Sequence, residues 1–297
     1  MHLQKTAAGV VVHAPAKLNL FFEVLNRRSD GFHEVETLVY PIDLYDTLIL
    51  SGQAGPRIDF RLFFASGDAS CRDVPEDSSN LVIRALELLR RRAGSEFGAR
   101  VSLWKRIPTA AGLGGGSSDA AAALAAANVA WGLHWPRERL AQVGAELGSD
   151  VSLFFHPAAS ICRGRGEIIA PAAVSPMLHL VVVRPPEGLG TADVYRICQI
   201  ADKPRPLRPF AEAFGRGDLR RMAETMFNRL EASASVLSPW IARVRRELES
   251  VDCVGRQMTG SGTCCFGLCW HARHARRVAR RLQTRGIGMV YAVRGCR

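Results

Sequence analysis

Gly112-Leu113-Gly114-Gly115-Gly116-Ser117-Ser118 is the stretch on which the reading of this sequence turns. Glycine has no Cβ, so its backbone can come close to an anion and aim several N–H groups at it. The alanine-rich run over 117–131 reads as a helix, and a helix N-terminus adds partial positive charge at the same point. Ser117 or Ser118 can donate to a phosphate oxygen or ligate Mg2+. A strand-to-helix turn alone needs fewer than four glycines in five positions, so the stretch reads as a phosphate loop. No Gly-Lys-Ser/Thr follows, which excludes the Walker A element. Ser117 stands where the dinucleotide fingerprint has its last glycine, which excludes that pattern too.

On the N-terminal side, 10–13 and 18–25 read as strands interrupted by Pro15. Asp30-Gly31 marks a turn, and 34–50, 57–64 and 99–104 read as further strands. Ser78-Ser-Asn80 can cap a helix that runs to Arg92 and stops at Gly94. On the C-terminal side a helix starts after Pro136 and ends near Gly148, and the apolar run 151–155 reads as a short strand. A strand is expected over 178–183 and helices near 191–200, 217–230 and 238–250, with 201–209 a proline-punctuated loop. The end reads strand 264–269, helix 271–285, strand 287–293. Hairpins early and mixed elements later predict an α+β fold. At 297 residues two domains are expected, 1–165 and 166–297, with the boundary inside 158–175.

The chain is 47% hydrophobic and 23% charged, which excludes wholesale disorder. Its net charge of +11 favours an anionic partner: nucleic acid, an acidic membrane surface or a phosphorylated metabolite. The excess is nearly all arginine, and most of it reads as solvated surface. The segment His271-Ala-Arg-His-Ala-Arg-Arg-Val-Ala-Arg-Arg281 is expected to be a solvated helix face. The cysteines at 71, 162, 198, 253, 264, 265, 269 and 296 form no C-x-x-C pair and read as buried free thiols of a reducing compartment. The N-terminus carries no signal-peptide pattern, and no apolar run reaches the ~20 residues of a membrane span. A cytoplasmic protein with no membrane partner is therefore expected. Nothing chooses between a monomer and a homodimer.

Only Lys5, Lys17, Lys105 and Lys203 depart from the preference for arginine. Lys17, in Ala14-Pro-Ala-Lys-Leu-Asn-Leu20, reads either as an aimed ammonium or as a strand lysine reaching solvent. Asp150 stands where a helix stops and the run 151–155 begins; it can face a cleft as a base, or be an ordinary loop aspartate. Asp30-Gly-Phe-His33 offers a ring and an imidazole that could stack on and read a base, or simply a packed hairpin turn. Thr259-Gly-Ser-Gly262 is a second small-residue loop that could support the first.

Taken in order, Pro15-Ala-Lys-Leu-Asn-Leu20, the segment 108–118 and Met258-Thr-Gly-Ser-Gly-Thr263 resemble the three motifs of the GHMP kinase superfamily. The likeness runs from about residue 9 to about residue 270. Asp30-Gly-Phe-His33 and Leu147-Gly-Ser-Asp-Val151 narrow it to a branch whose alcohol acceptor carries cytidine diphosphate. The resemblance implies an N-terminal ribosomal-protein-S5-like ATP domain and a C-terminal ferredoxin-like α/β domain. It implies ATP as co-substrate, with Mg2+ on its phosphates, held by Pro108, Thr109, Ala110, Ala111, Gly112, Leu113, Gly114, Gly115, Gly116, Ser117 and Ser118, with Asn80 and Lys105 nearby. By the same resemblance Asp150 is the base and Lys17 the catalytic lysine that stabilises it. Asn19 positions substrate, Phe32 and Tyr195 sandwich cytosine, His33 reads its edge, and Thr191 lies near the pocket. Gly260, Ser261 and Gly262 form the supporting loop.

The sequence departs from the family pattern at two of these places. Phe32 stands where tyrosine is common, so stacking survives and a hydroxyl contact is lost. Ser152 stands where proline often follows Asp-Val. Three rival readings remain: another alcohol kinase such as a mevalonate-type enzyme, a catalytically silent member, and a basic nucleic-acid-binding module. The last leaves the glycine loop without a purpose, and no aromatic residue is interleaved in the arginine-rich stretch, so no nucleic-acid partner is expected.

Overall fold

Strands and helices divide between two units in a computed structural model that describes residues 1–64, 74–156, 158–174 and 176–296. The first unit takes 1–16, 44–109 and 114–157; the second takes 17–43, 110–113 and 158–297. The mixed helix and strand content is the expected α+β class.

In the first unit β1 (His2–Thr6) pairs antiparallel with the start of β2 (Gly9–Arg27). The second half of β3 (His33–Gln53) pairs antiparallel with β5 (Gly98–Lys105), and β4 (Ile58–Phe64) lies parallel to β5. The strand order is β1-β2-β3-β5-β4. Alternation along β5 sends Val101 and Leu103 into the core and leaves Arg100 and Trp104 exposed. Against these strands pack α1 (Leu81–Ala93), α2 (Gly115–Ala130), α3 (Arg137–Ala145) and α4 (Ser149–Leu153). Helix α1 begins on Asn80, whose side chain accepts the Val82 N–H, and ends on Gly94 at φ 60°. Helix α2 is buried around most of its girth; its alanines let neighbouring elements come close.

The second unit is built on an antiparallel sheet in the order β11-β8-β10-β9, formed by β8 (His179–Arg184), β9 (Gly255–Met258), β10 (Cys265–Cys269) and β11 (Met289–Arg294). The first half of β3 pairs with β6 (Ser160–Arg163), which pairs with β7 (Ile168–Pro171). Its helices are α5 (Thr191–Arg196), α6 (Arg208–Arg216), α7 (Leu219–Thr225), α8 (Leu230–Leu237), α9 (Pro239–Glu249) and α10 (Ala272–Gln283). Helix α10 buries Ala275, Val278, Ala279 and Leu282 and turns Arg273, Arg276, Arg277, Arg280 and Arg281 to solvent. Glu23, fully buried in β2, takes two bonds from Arg229 (2.7 and 2.8 Å) and one each from the N–H groups of Arg205 and Val24. No helix among the described residues is long and apolar enough to cross a membrane.

Four expectations change. Residues 151–155 are not a strand: Ser149–Leu153 is a helical turn, because a five-residue apolar run has no period of its own and Val151 packs on Gly144 of α3. Pro15 does not interrupt a strand: β2 is continuous, and its ladder with β1 ends at His13, so no N–H is required of Pro15 on that side. The helix expected over 217–230 is two, α7 and α8. Between them the chain bonds to β2, with Phe22 N–H to the Phe227 oxygen at 2.7 Å and Arg229 N–H to the Phe22 oxygen at 2.8 Å. The loop expected over 201–209 ends in the first turn of α6, and β6, β7 and β9 went unread because each has only four residues.

Leu86 of α1 is fully buried. Leu86→Ala should lower stability by about 2–5 kcal/mol in urea unfolding, whereas Arg280→Ala on the exposed face of α10 should change it by under about 0.5 kcal/mol.

Candidate active site

In the first unit the entry to the glycine loop is set by Asp46 of β3. One carboxylate oxygen accepts the N–H groups of Arg106 (2.6 Å) and Ile107 (2.9 Å); the other binds the Lys105 ammonium. Lys105 also binds Asp119, in the first turns of α2, at 2.7 Å. All three side chains are buried. Two carboxylates facing one ammonium leave a net negative charge. Burial first, and the Asp46 charge second, push the Asp119 carboxyl up to about 8 against the pull of Lys105. A proton on Asp119 thus brings the buried cluster to neutrality. Burial works against the Lys105 charge, but both carboxylates outweigh it and raise its pKa.

The loop follows. Gly112 and Gly114 take φ of 73° and 70°, and Ala110 takes φ 48°, a left-handed conformation a side chain disfavours. Gly114 is the N-cap of α2 and supplies no side-chain cap; the first intrahelical bond runs from Ser118 N–H to the Gly114 oxygen at 3.0 Å. The N–H groups of the first turn therefore have no intrahelical acceptor. The Ser118 hydroxyl is fully buried at the same end and has no hydrogen-bond partner among the described residues. An uncapped helix start with an orphaned hydroxyl suits an anion. Gly115 leaves no room for a side chain: a Cβ there would lie 2.9 Å from Ile107 and 3.3 Å from the Lys105 ammonium.

Asn80, expected near the nucleotide, is buried and already used: its amide oxygen caps α1 at 2.8 Å, and its amide nitrogen donates to the Pro75 oxygen. Asp150 is half-buried in the first turn of α4, not at the start of a strand.

In the second unit Lys17 and Asn19 project from β2. The Lys17 ammonium is buried and donates to the Asn19 amide oxygen at 2.6 Å. The Asn19 amide nitrogen donates to the Thr37 hydroxyl (2.8 Å), which donates to the Phe21 oxygen (2.7 Å). The Asn19 N–H donates to the Thr259 hydroxyl (2.8 Å), and the Lys17 N–H to the Leu113 oxygen (3.0 Å). The Thr259–Gly262 loop is held from below by Asn228, whose amide donates to the Met258 and Gly260 oxygens at 2.8 Å each. The Thr191 and Ser261 hydroxyls are 2.9 Å apart. Lys17, Asn19 and the loop 260–262 are thus gathered through Thr259, which the sequence had named in that loop, and through Thr37 and Asn228, which it had not; Thr191 joins through Ser261.

Phe32 and His33 follow the Asp30-Gly31 turn. The Phe32 N–H donates to the Asp30 carboxylate (3.1 Å), and the ring is 55% exposed. The His33 ring lies 5.0 Å from the Tyr195 ring at 36°. Burial and the Arg27 charge hold the His33 imidazole below its usual range, so it is neutral at pH 7 and offers one donor and one acceptor. The Arg165 guanidinium lies over the Phe32 ring at 4.9 Å.

Among the described residues no group of three His, Cys, Asp or Glu is placed to hold a metal ion. Mg2+ fits here only as a cation carried on phosphates and met by a hydroxyl such as Ser118. Cys162, Cys264, Cys265 and Cys269 are buried, while Cys198, Cys253 and Cys296 are half-buried. Cys71 lies outside the described residues.

Comparison with known proteins points one way. The GHMP kinases N terminal domain matches residues 80–158, and the GHMP kinases C terminal matches 210–288. A 4-diphosphocytidyl-2-C-methyl-D-erythritol kinase of Pelotomaculum thermopropionicum is 38% identical over 273 residues, covering 90% of this chain and 92% of that one. Its counterpart in Shouchella clausii is 37% identical over 285 residues, covering 95% and 93%. A crystal structure of 4-(cytidine 5'-diphospho)-2C-methyl-D-erythritol kinase matches with a TM-score of 0.79 at 34% identity, over 97% of this chain and 99% of that one.

The buried cluster makes stability depend on pH. From the unperturbed 3.8 up to about 8 the folded protein keeps a proton on Asp119 that the unfolded chain has lost. Stability from this group is therefore full below 3.8, falls as pH rises to about 8, and is level above. Asp119→Asn should flatten that fall when Tm is followed across the window; a slope equal to the parent's would refute the assignment.

Proposed function

We infer the reaction from a premise now in hand: this chain belongs to the GHMP kinases and, among them, to the 4-diphosphocytidyl-2-C-methyl-D-erythritol kinases. It transfers the γ-phosphoryl group of ATP to the 2-hydroxyl of 4-diphosphocytidyl-2-C-methyl-D-erythritol, a step of non-mevalonate isoprenoid biosynthesis in the cytoplasm. The observation that carries the reading is the uncapped start of α2 with its buried, unbonded Ser118 hydroxyl, which supports phosphate binding by the loop 108–118.

In this reading residues 1–165 form the ATP and catalytic domain and 166–297 the second domain. The Asp150 carboxylate takes the proton of the 2-hydroxyl. The oxygen bonds to the γ-phosphorus as the bond to the β-γ bridging oxygen breaks, and ADP leaves. Lys17, whose buried ammonium is oriented by Asn19, stabilises the negative charge that develops. Phosphoryl transfer needs positioning and neutralisation more than covalent chemistry, and these groups supply both. Bound Mg2+ would neutralise phosphate charge. Lys105 acts on the nucleotide through the loop it supports, since its ammonium is engaged by Asp46 and Asp119. Phe32 and Tyr195 stack on cytosine, and neutral His33 reads its edge, so that a wrong base leaves buried polar groups unpaired. Thr191 and Ser261 line the acceptor side.

Asp150→Asn should lower kcat by ~10²–10⁴-fold, with ATP affinity within about twofold of the parent. An ADP-release assay on the cytidyl substrate measures it, with Lys17→Ala alongside; unchanged turnover in the asparagine variant would remove Asp150 from the reaction. Mevalonate in place of the cytidyl substrate should release no ADP. Release with mevalonate alone would overturn the acceptor.

A further inference from the structure

We propose that Arg165 is the residue by which this site tells a cytidine 5′-diphosphate ester from cytidine alone. The inference rests on the reading of Phe32 as the ring that stacks on cytosine. Arg165 sits in the turn Arg163-Gly164-Arg165-Gly166-Glu167 between β6 and β7. That turn is fixed to the start of β3. The Val35 N–H donates to the Gly164 oxygen at 2.8 Å, and the Gly164 N–H donates to the Glu34 carboxylate at 3.1 Å. Gly164 takes φ 72°, and a Cβ there would meet the Glu167 carboxylate at 2.7 Å. The turn thus delivers its tip residue to the Asp30–His33 turn at a set place.

The guanidinium lies over Phe32 at 4.9 Å, while the ring stays 55% exposed. A guanidinium on a ring is held by its face and keeps its in-plane N–H donors at the edges. Among the described residues those donors make no hydrogen bond to protein. Arg28 is engaged by Asp30 (3.1 Å) and Glu34 (2.8 Å), and Arg163 by Glu36 (2.8 Å). The Glu167 carboxylate takes the Arg165 backbone N–H. Arg165 makes no direct ion pair among the described residues; its charge is felt by Asp30 without a hydrogen bond, so its forked donors stay open at the corner where the nucleoside would stack. Planar, forked donors match a phosphate better than a base edge, so the ligand chemistry that fits is the diphosphate of a cytidine ester.

The test is calorimetric titration of the parent, Arg165→Ala and Arg165→Lys with cytidine and with CDP at one ionic strength, together with steady-state kinetics. Arg165→Ala should weaken CDP by about 10-fold or more and cytidine by under about twofold. KM for the cytidyl substrate should rise in step with the CDP loss, with kcat and the KM for ATP within about twofold. Arg165→Lys should recover part of the loss, because the charge is kept and the fork is not. Equal weakening of both ligands would mean that Arg165 only steadies the ring, and would overturn the proposal, as would unchanged CDP affinity. The stacking reading fails separately: there the parent binds neither ligand, or Phe32→Ala leaves cytidine binding intact, and the role of Arg165 falls with it.

Discussion

The glycine loop can exist in its observed form because three ionisable side chains, Asp46, Lys105 and Asp119, are buried beneath its entry. Asp46 holds the backbone of Arg106 and Ile107 with one oxygen and Lys105 with the other, and Lys105 reaches on to Asp119 in α2. The end of β5, the exit toward the loop and the start of the helix are thereby tied to β3. Such a cluster is weak evidence for stability as such, since each ion loses its hydration on burial. Taking away one partner is different: it strands the other charge and costs about 3–5 kcal/mol. The cluster therefore specifies geometry more than it adds stability, and the geometry it specifies is that of the loop entry and the uncapped start of α2.

The same physics explains what the sequence displayed and what it hid. Local signals were legible. Asn80 as a cap, Gly94 as a stop, the alanine-rich helix and the glycine run each act over a few residues, and each appears where expected. The partners of the buried polar groups were not legible, because they are remote. Asp46 and Lys105 are 59 residues apart, Asn19 and Thr259 are 240 apart, and Glu23 and Arg229 are 206 apart. The signal that existed was a polar residue inside an otherwise apolar strand, as at Glu23, Thr37 and Asp46. Such residues demand a partner without naming it. The run 151–155 misled for the opposite reason: apart from Ser152 it is apolar and it is only five residues long, so nothing in it separates a strand from a helical turn packed on Gly144.

The corner around Phe32 follows a different rule from the buried clusters. Its groups are exposed or half-exposed, and its ion pairs of Arg28 and Arg163 contribute little stability in water. What they do is consume the local carboxylates. Arg28 and Arg163 between them bind Asp30, Glu34 and Glu36, which leaves the Arg165 guanidinium on the exposed ring without a direct carboxylate partner among the described residues. A weak surface pair can therefore set the charge that an incoming ligand meets, even where its own energy is small.

In the second unit close backbone approach sets the position of Lys17. A Cβ on Gly112 would stand 2.4 Å from the Thr259 oxygen, and one on Gly260 would stand 3.3 Å from the Asn19 amide oxygen. Glycine at 112 is required there by space as well as by its positive φ. The Thr259 side chain then receives the Asn19 N–H, and the Asn19 side chain receives the Lys17 ammonium. A substitution at Gly112 would thus reach the lysine through two hydrogen bonds without touching a phosphate. Glycine at 112 therefore has a cause apart from any anion: it lets two stretches of backbone lie against each other so that Lys17 is held in one orientation.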